Sequence, residues 1–263
     1  MKIVVGENEW NIVVLGKGDN VLVAFHGYGQ SHAVFEHLAE LMNESHSIWC
    51  IDLAFHGVNA EIPRKFQFGK ENVDELMNKI LIKSEKSHVG LLGYSIGGRI
   101  ALSIASFLPY KISEIYLFAP DGLPVSKAYY FLTYTWLGTM LFRRFVNRAG
   151  FANFLVKLGK KIRILSSKLA DYYLFEISTL VKRRQLFLTW MSYKKALPNK
   201  QNLVNWNKTG KVTCILGKHD GVIPLKKTQR ELKKVFPDSR VIILESGHNL
   251  LSEKAVKKLS SYF

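Results

Sequence analysis

Short runs of apolar, often β-branched residues alternate with longer segments of helical spacing through most of the chain. Six of these runs are continuous, which is typical of strands covered on both faces. They lie at residues 20–25, 47–53, 88–93, 112–119, 211–217 and 239–245. Helical spacing predicts helices at residues 32–43, 71–86, 96–108, 225–235 and 249–262. The opening runs KIVV and WNIVVL flank GENE and predict a hairpin. Strand followed by helix, repeated, predicts a mostly parallel α/β sheet with helices on both faces.

The alternation stops between Gly122 and Trp206, where helical spacing replaces the strand runs. One apolar stripe follows the i, i+3, i+4, i+7 rule of a helix face. Its members are Phe151, Phe154, Leu155, Leu158, Ile162 and Leu165. We interpret the stripe as the core of the insertion rather than a substrate-binding surface, although one face can serve both. The predicted domains are a core of residues 1–121 and 207–263 and an all-helical insertion of residues 122–206.

Composition sets the class of protein. A length of 263 residues with 48% hydrophobic residues suits one large domain with an insertion and excludes a disordered chain. Cys50 and Cys214 both lie in apolar strand runs, so we expect buried thiols and no disulfide framework. Glu7 and Glu9 stand where a secretion signal would be apolar, and the uncharged stretch at residues 128–142 is too short to span a membrane. We therefore expect a cytoplasmic protein.

The charge of the chain is concentrated in the insertion. The net charge is +16, and residues 122–206 hold 15 basic and two acidic residues, a net +13. Such an excess favours an anionic partner or simply a solvated face. An anionic membrane surface, an acyl carrier protein or coenzyme A thioester, and a small carboxylate all fit it. No nucleic-acid recognition motif accompanies the basic segment, so we expect no nucleic-acid partner.

A G-x-S-x-G element carries the strongest chemical signal. Gly93-Tyr94-Ser95-Ile96-Gly97 follows a strand run directly and precedes a helical pattern. A tight turn in this context forces a serine hydroxyl out above the sheet, and glycines are needed where a Cβ would clash. Ser95 is the candidate nucleophile, and the amide of Ile96 at the helix start would face an oxyanion.

A serine nucleophile needs a base and an acid that orients the base. His248 follows the last strand run and Asp220 follows the one before it, so both belong at the carboxyl edge of the sheet. Asp121, after the strand run at residues 112–119, is a rival for the acid. We predict His219 to be exposed and interpret His26 and His56 as structural loop residues.

With these residues the chain resembles the α/β-hydrolase superfamily from about residue 20 to its end. The resemblance favours Asp220 over Asp121 as the acid, because residues 217–224 read G-x-x-D-G-x-x-P, which is similar to the commoner family pattern. His26-Gly27-Tyr28-Gly29 is similar to the family's H-G-x-G loop, which implies that the Tyr28 amide is the second oxyanion donor. Residues 52–57, D-L-A-F-H-G, resemble the D-x-P-G-H-G turn, with Ala54 and Phe55 in place of proline and glycine. The resemblance implies an α/β-hydrolase fold in which the helical insertion is a lid.

The resemblance implies hydrolysis of a carboxylic ester or thioester through an acyl-enzyme. One alternative is a menaquinone-pathway lyase that expels pyruvate, because Gly93 to Arg99 reads G-Y-S-x-G-G-R; that likeness implies Tyr94 and Arg99 as substrate-binding residues. A second alternative is a non-catalytic module of the same fold that binds an anionic partner. No H-E-x-x-H, C-x-x-C or G-x-G-x-x-G element is present, so the sequence predicts neither a metal nor a cofactor.

Overall fold

An eight-stranded sheet is the framework of the structure. The computed structural model describes residues 1–62, 66–123, 125–163, 165–208 and 210–262. Its strands are β1 (Lys2–Val5), β2 (Asn8–Leu15), β3 (Asn20–Phe25), β4 (His46–Ile51), β5 (Val89–Tyr94), β6 (Ile112–Phe118), β7 (Lys211–Gly217) and β8 (Arg240–Leu244). Each predicted strand run is therefore confirmed, with its ends within two residues of the prediction.

The strand order is β1-β2-β4-β3-β5-β6-β7-β8. β2 pairs antiparallel with β1 and β4, whereas every later pair is parallel. The mostly parallel sheet and the opening hairpin are thus confirmed. Because parallel strands point the same way, the loops that follow β3, β5, β7 and β8 meet at one edge of the sheet.

Helices connect these strands and form the insertion. They are α1 (Glu36–Met42), α2 (Lys70–Ser84), α3 (Ile96–Phe107), α4 (Lys127–Tyr134), α5 (Trp136–Asn147), α6 (Ala149–Lys161), α7 (Ser167–Glu176), α8 (Leu180–Ser192), α9 (Lys200–Trp206), α10 (Leu225–Val235) and α11 (Glu253–Lys257). The predicted helix at residues 249–262 is wrong in extent. The chain turns where the Leu250 amide donates to the His248 carbonyl, and the extended backbone of Ser252 delays the helix until Glu253.

Burial of both faces of the central strands explains their continuous apolar sequences. Every residue of β5 is buried, and α3 is buried from Ile96 to Ser106. Cys50 on β4 and Cys214 on β7 are buried free thiols, as predicted. A strand covered on both sides has no polar face to alternate with, so its sequence loses the period of two.

The chain divides into two compact units. One is Met1–Pro124 with Lys195–Phe263, and the other is Val125–Lys194, which holds α4 to α8. The second unit is shorter than the predicted insertion because α9 belongs to the first. There the Asn199 amide donates to Ser106 Oγ (3.2 Å), Asn202 Nδ2 to the Ser106 carbonyl (2.9 Å), and Trp206 Nε1 to the Ile112 carbonyl (2.9 Å).

The second unit has its own small interior. Ala152, Val156, Ala170 and Ile177 are buried together. Arg183 is buried as well, and its guanidinium donates to the Val146 carbonyl (2.8 Å) and the Ile177 carbonyl (2.7 Å). These bonds join α8 to the carboxyl ends of α5 and α7, so this arginine is structural despite its place in the basic segment.

The prediction that the apolar stripe forms the core of the insertion is wrong for most of the residues in the stripe. Four of its residues on or just after α6 are exposed hydrophobic side chains: Phe154, Leu155, Leu158 and Ile162. The interior is made instead from the small residues on the opposite face of the helix, Ala152 and Val156. Periodicity identified the residues that share a face, but not which face is covered.

Within the ranges that the structure covers, no helix has both the length and the apolar character needed to cross a bilayer. The longest of the helices given above, α2, has 15 residues, against about 20 for a membrane span.

Candidate active site

Ser95 occupies a sharp turn between β5 and α3. Its backbone has φ +54° and ψ −118°, in a region where residues other than glycine are strained. The Ser95 amide donates to the Phe118 carbonyl (3.0 Å), and the Ser95 carbonyl accepts from the Asp121 amide (2.9 Å). The strand, turn and helix that the G-x-S-x-G element predicts are all present around this serine.

The glycines of the element are required by close backbone contacts. A Cβ built on Gly93 would lie 2.5 Å from the Cα of Gly98, and a Cβ on Gly97 would lie 1.9 Å from the carbonyl oxygen of Phe25. Backbone atoms cannot yield as a flexible side chain can. The steric reason for these glycines is therefore confirmed, and it is what lets α3 pack directly against β3 and β5.

His248 stands between Ser95 and Asp220. Its Nδ1 lies 2.7 Å from Asp220 Oδ2, and its Nε2 lies 3.2 Å from Ser95 Oγ. A carboxylate can only accept, so the bonding pattern assigns the proton to Nδ1 and leaves Nε2 to accept from the serine hydroxyl. The sequence prediction that these three side chains meet at the edge of the sheet agrees with this geometry.

The rival acid Asp121 faces another residue. Its Oδ2 lies 3.5 Å from Arg99 Nε and its Oδ1 accepts from the Gly122 amide (2.7 Å). Asp220 Oδ1 instead accepts from the amides of Val222 (2.7 Å) and Ile223 (2.9 Å). These two bonds fix the carboxylate while Oδ2 is turned toward the imidazole.

Two backbone amides are candidates for an oxyanion hole beside Ser95. Ile96 is the first residue of α3, and amides in the first turn of a helix have no acceptor within the helix. Tyr28 belongs to the loop after β3, which reaches the same place. A Cβ on Gly27 would lie 3.4 Å from the Cβ of Ser95.

The loop that carries Tyr28 is held by the buried ring of His26. Nδ1 of His26 donates to the Gly27 carbonyl (2.7 Å), and Nε2 accepts from the Leu53 amide (2.9 Å). This pattern requires a neutral imidazole. Burial is the main cause that lowers the pKa of His26 to about 4, with the neighbouring His56 contributing. The Gly27 carbonyl and the Tyr28 amide belong to one planar peptide, so His26 also fixes the direction of that amide.

Asp52 joins the loops that follow β3 and β4. Its buried carboxylate accepts from the amides of His32 (2.5 Å) and Val58 (2.8 Å). Phe55, which replaces the glycine of the related turn, has φ +73°, so the turn keeps its left-handed residue without a glycine. His56 is buried, and His219 is exposed, as predicted for His219. Sequence reasoning missed the anchoring role of Asp52, although an aspartate near the carboxyl end of an apolar strand run is a usable signal.

The predicted substrate-binding residues have different surroundings from those expected. Tyr94 and Arg99 are only 3% and 1% exposed. The Tyr94 hydroxyl donates to the His248 carbonyl (3.0 Å), and its ring centroid lies 5.4 Å from that of the imidazole. Arg99 lies beside Asp121. Placed in this way, Tyr94 supports the loop of His248, a link that sequence reasoning missed across a separation of 154 positions.

The sheet order, the strained serine between β5 and α3, and the histidine after β8 define the α/β-hydrolase class of fold. The chain belongs to the alpha/beta hydrolase fold family, whose family model matches residues 20–255. The resemblance seen in the sequence is thereby confirmed.

Individual relatives cover the chain to different extents. It is 30% identical over 100 residues to a pimeloyl-[acyl-carrier protein] methyl ester esterase of Aliivibrio fischeri, covering 38% of this chain and 36% of that protein. It is 23% identical over 250 residues to the uncharacterized hydrolase YugF of Bacillus subtilis, covering 93% of this chain and 89% of the relative. The chain spans about a third of the length of the first curated relatives it matches.

A thermophilic esterase of Thermogutta terrifontis is similar in structure. Its TM-score is 0.70 at 14% sequence identity, over 100% of this chain and 95% of that one. At this identity the likeness concerns the fold.

Proposed function

We propose that the protein is a serine hydrolase that cleaves a carboxylic ester or thioester through an acyl-enzyme. The observation that carries the proposal is the hydrogen-bonded chain from Ser95 Oγ through His248 to Asp220, at 3.2 and 2.7 Å. Residues of these three types in this order supply a nucleophile, a base and an orienting acid.

The proposed reaction has two halves. Ser95 Oγ attacks the acyl carbon while His248 Nε2 takes the hydroxyl proton, and the amides of Tyr28 and Ile96 stabilise the oxyanion. The C–O or C–S bond then breaks, and the leaving alcohol or thiol receives the proton from His248. Water repeats the sequence on the acyl-enzyme and releases a carboxylic acid and the free serine.

The surroundings of Arg99 favour this proposal over the lyase alternative. A lyase for a polyanionic substrate needs cations at its site, but the charge of Arg99 is buried opposite Asp121. Serine at the turn also favours acyl transfer over branches of the family that use a carboxylate nucleophile.

A fluorophosphonate probe, which labels activated serines, tests the nucleophile. We expect labelling of the wild type, and a loss of both labelling and short-chain ester hydrolysis in Ser95→Ala. His248→Ala is expected to lose nearly as much, and the double variant scarcely more, because triad members act as a unit. Labelling of Ser95→Ala would overturn the assignment, and an unlabelled wild type would favour the non-catalytic module.

The proposal also concerns the carrier or surface that presents the acyl substrate to the enzyme. The basic insertion, which we propose as the lid of this family, suits an anionic carrier or surface. Relatives named as pimeloyl-[acyl-carrier protein] methyl ester esterases support a carrier-linked ester. An anionic membrane would match the positive charge of the insertion equally well. The exposed apolar residues of the insertion bear on the choice between a carrier protein and a membrane.

A further inference from the structure

The outward face of α6 is apolar. Phe154, Leu158 and Ile162 follow one another at intervals of four residues, which places them on one stripe along the helix and the turn that ends it. Phe154 is 57% exposed and Ile162 is 55% exposed. A helix on the surface of a globular protein normally directs this stripe inward, so its exposure needs an explanation.

Basic residues border the stripe. Lys157 and Lys161 lie three and seven positions after Phe154, which puts them along one edge of the stripe, and both are exposed. We name Phe154, Leu155, Lys157, Leu158, Lys161 and Ile162 the α6 face. Lysine stems can lie on apolar surface while their ammonium groups reach outward.

Helix α5 repeats this arrangement. Trp136 is 81% exposed, and Met140 one turn later is exposed as well. Arg143 and Arg144 continue the same face after a further turn and are also exposed. Arg144 lies over the ring of Phe151 at the start of α6, 5.3 Å from its centroid. Two consecutive helices therefore each expose an apolar stripe that adjoins cations.

The charge of the unit limits what can cover these faces. Residues 125–194 contain 13 Lys and Arg and only two acids, Asp171 and Glu176, a net charge of +11. A second copy docked through the same unit would bring an equal positive charge against it. An acidic protein would also satisfy the charge, and the test below distinguishes it. Apolar stripes that adjoin basic residues, repeated on two helices, are typical of helices that lie in a membrane interface.

We propose that the α6 face docks on an anionic phospholipid bilayer. Helices that lie in a membrane interface combine exposed aromatic and aliphatic side chains with basic residues at the rim. The apolar side chains would enter the boundary between headgroups and acyl chains, while Lys157 and Lys161 pair with lipid phosphates. The docking does not depend on the proposed hydrolase activity.

Sedimentation with vesicles tests the docking. Full-length protein is mixed with phosphatidylcholine vesicles that contain or lack phosphatidylglycerol, at low salt. We expect binding to the anionic vesicles that weakens as salt rises. The pairs Lys157→Glu/Lys161→Glu and Phe154→Ser/Leu158→Ser should each weaken it by about tenfold or more. Ser95→Ala should bind as the wild type does.

Matched variants control for charge and exposure. Lys226→Glu/Lys227→Glu on α10 makes the same charge change at exposed positions of the first unit, and Ile82→Ser removes another exposed apolar residue. Both should bind normally, and circular dichroism should show folded proteins throughout. Equal loss in the control pair, no vesicle binding, or binding only to an acidic acyl carrier protein would each overturn the proposal. Hydrolysis of a water-soluble ester by Lys157→Glu/Lys161→Glu should stay at the wild-type level.

Discussion

At the scale of single residues, Asp220 and Asp121 offer a direct comparison. Both follow strands of the sheet, but only Asp220 contacts the imidazole of His248. We expect Asp220→Asn to lower kcat/KM for ester hydrolysis by about a thousandfold or more, because the amide favours the wrong imidazole tautomer. Asp121→Asn should cost less than about tenfold.

Steady-state hydrolysis of a short-chain ester measures both effects. Thermal unfolding should accompany it, because Asp121→Asn also removes the charge opposite Arg99. A larger kinetic loss in Asp121→Asn than in Asp220→Asn would show that the acid had been misassigned.

His26 provides a second prediction, as a positioning residue that acts through the Gly27–Tyr28 peptide. His26→Ala should lower kcat by about 10- to 100-fold with little change in KM, since the stabilisation it affects belongs to the transition state. His26→Asn can still donate to the Gly27 carbonyl from the position of Nδ1 and should recover part of kcat. If KM and kcat deteriorate together and asparagine gives no rescue, His26 has only a structural role.

Residue types and spacing were enough to predict the side chains that meet at the edge of the sheet. Ser95, Asp220 and His248 each follow a strand run, so their positions depend on local sequence. The surroundings of Tyr94 and Arg99 could not be predicted in the same way. Tyr94 contacts the loop of His248, 154 positions away, and Arg99 faces Asp121 in the loop after β6. Neither contact leaves a pattern in the local sequence.

At the scale of elements, the contact between α3 and β3 permits a sharp comparison of two glycines. Gly97→Ala would place a Cβ 1.9 Å from the Phe25 carbonyl oxygen, so we expect destabilisation by about 3 kcal/mol or more and loss of probe labelling. Gly150→Ala, on α6, meets no atom within 4 Å and should stabilise by up to about 1 kcal/mol. Thermal unfolding of both variants checks this, and a tolerated Gly97→Ala would contradict the packing described.

Strands were predictable because burial on both faces leaves a short, continuous apolar run. The helix at residues 249–262 was overpredicted because its apolar spacing comes partly from Leu250 and Leu251, which are buried in a turn. The prediction that the α6 stripe forms a core failed for a related reason. A period of 3.6 residues identifies the residues that share a helix face but carries no information about what lies against that face.

At the scale of the whole molecule, buried histidines make the free energy of unfolding depend on pH. Burial lowers the pKa of His26 from 6.5 to about 4 and also lowers that of His56. Between pH 6.5 and about 4, His26 of the unfolded chain binds a proton that it does not bind in the folded chain. The contribution of His26 to stability is therefore fully present above pH 6.5 and is lost as the pH falls toward 4. The loss due to His26 alone is about 3 kcal/mol.

Urea unfolding at pH 7.5, 6 and 5 measures this dependence. The free energy of unfolding should fall across the series in the wild type and fall less steeply in His26→Asn. Parallel curves for the two proteins would mean that His26 is not neutral in the folded state.

A long segment without strand runs separates β6 from β7 in the sequence, and helices α4 to α8 of the second unit lie within it. The boundary near residue 195 was not predictable. It depends on hydrogen bonds from Asn199 and Asn202 to Ser106, 93 and 96 positions away, and amides of this kind leave no periodic signal.

The insertion also determines when the sheet can be completed during synthesis. Glu114 on β6 pairs in register with Lys211 on β7, and the whole second unit lies between them in the chain. At about 5–20 residues per second, the ribosome needs roughly 5–20 s to deliver the partner of β6 after β6 itself. For that time the hydrogen-bonding edge of an apolar strand has no neighbour, which makes the nascent chain, rather than the finished protein, the state most open to aggregation.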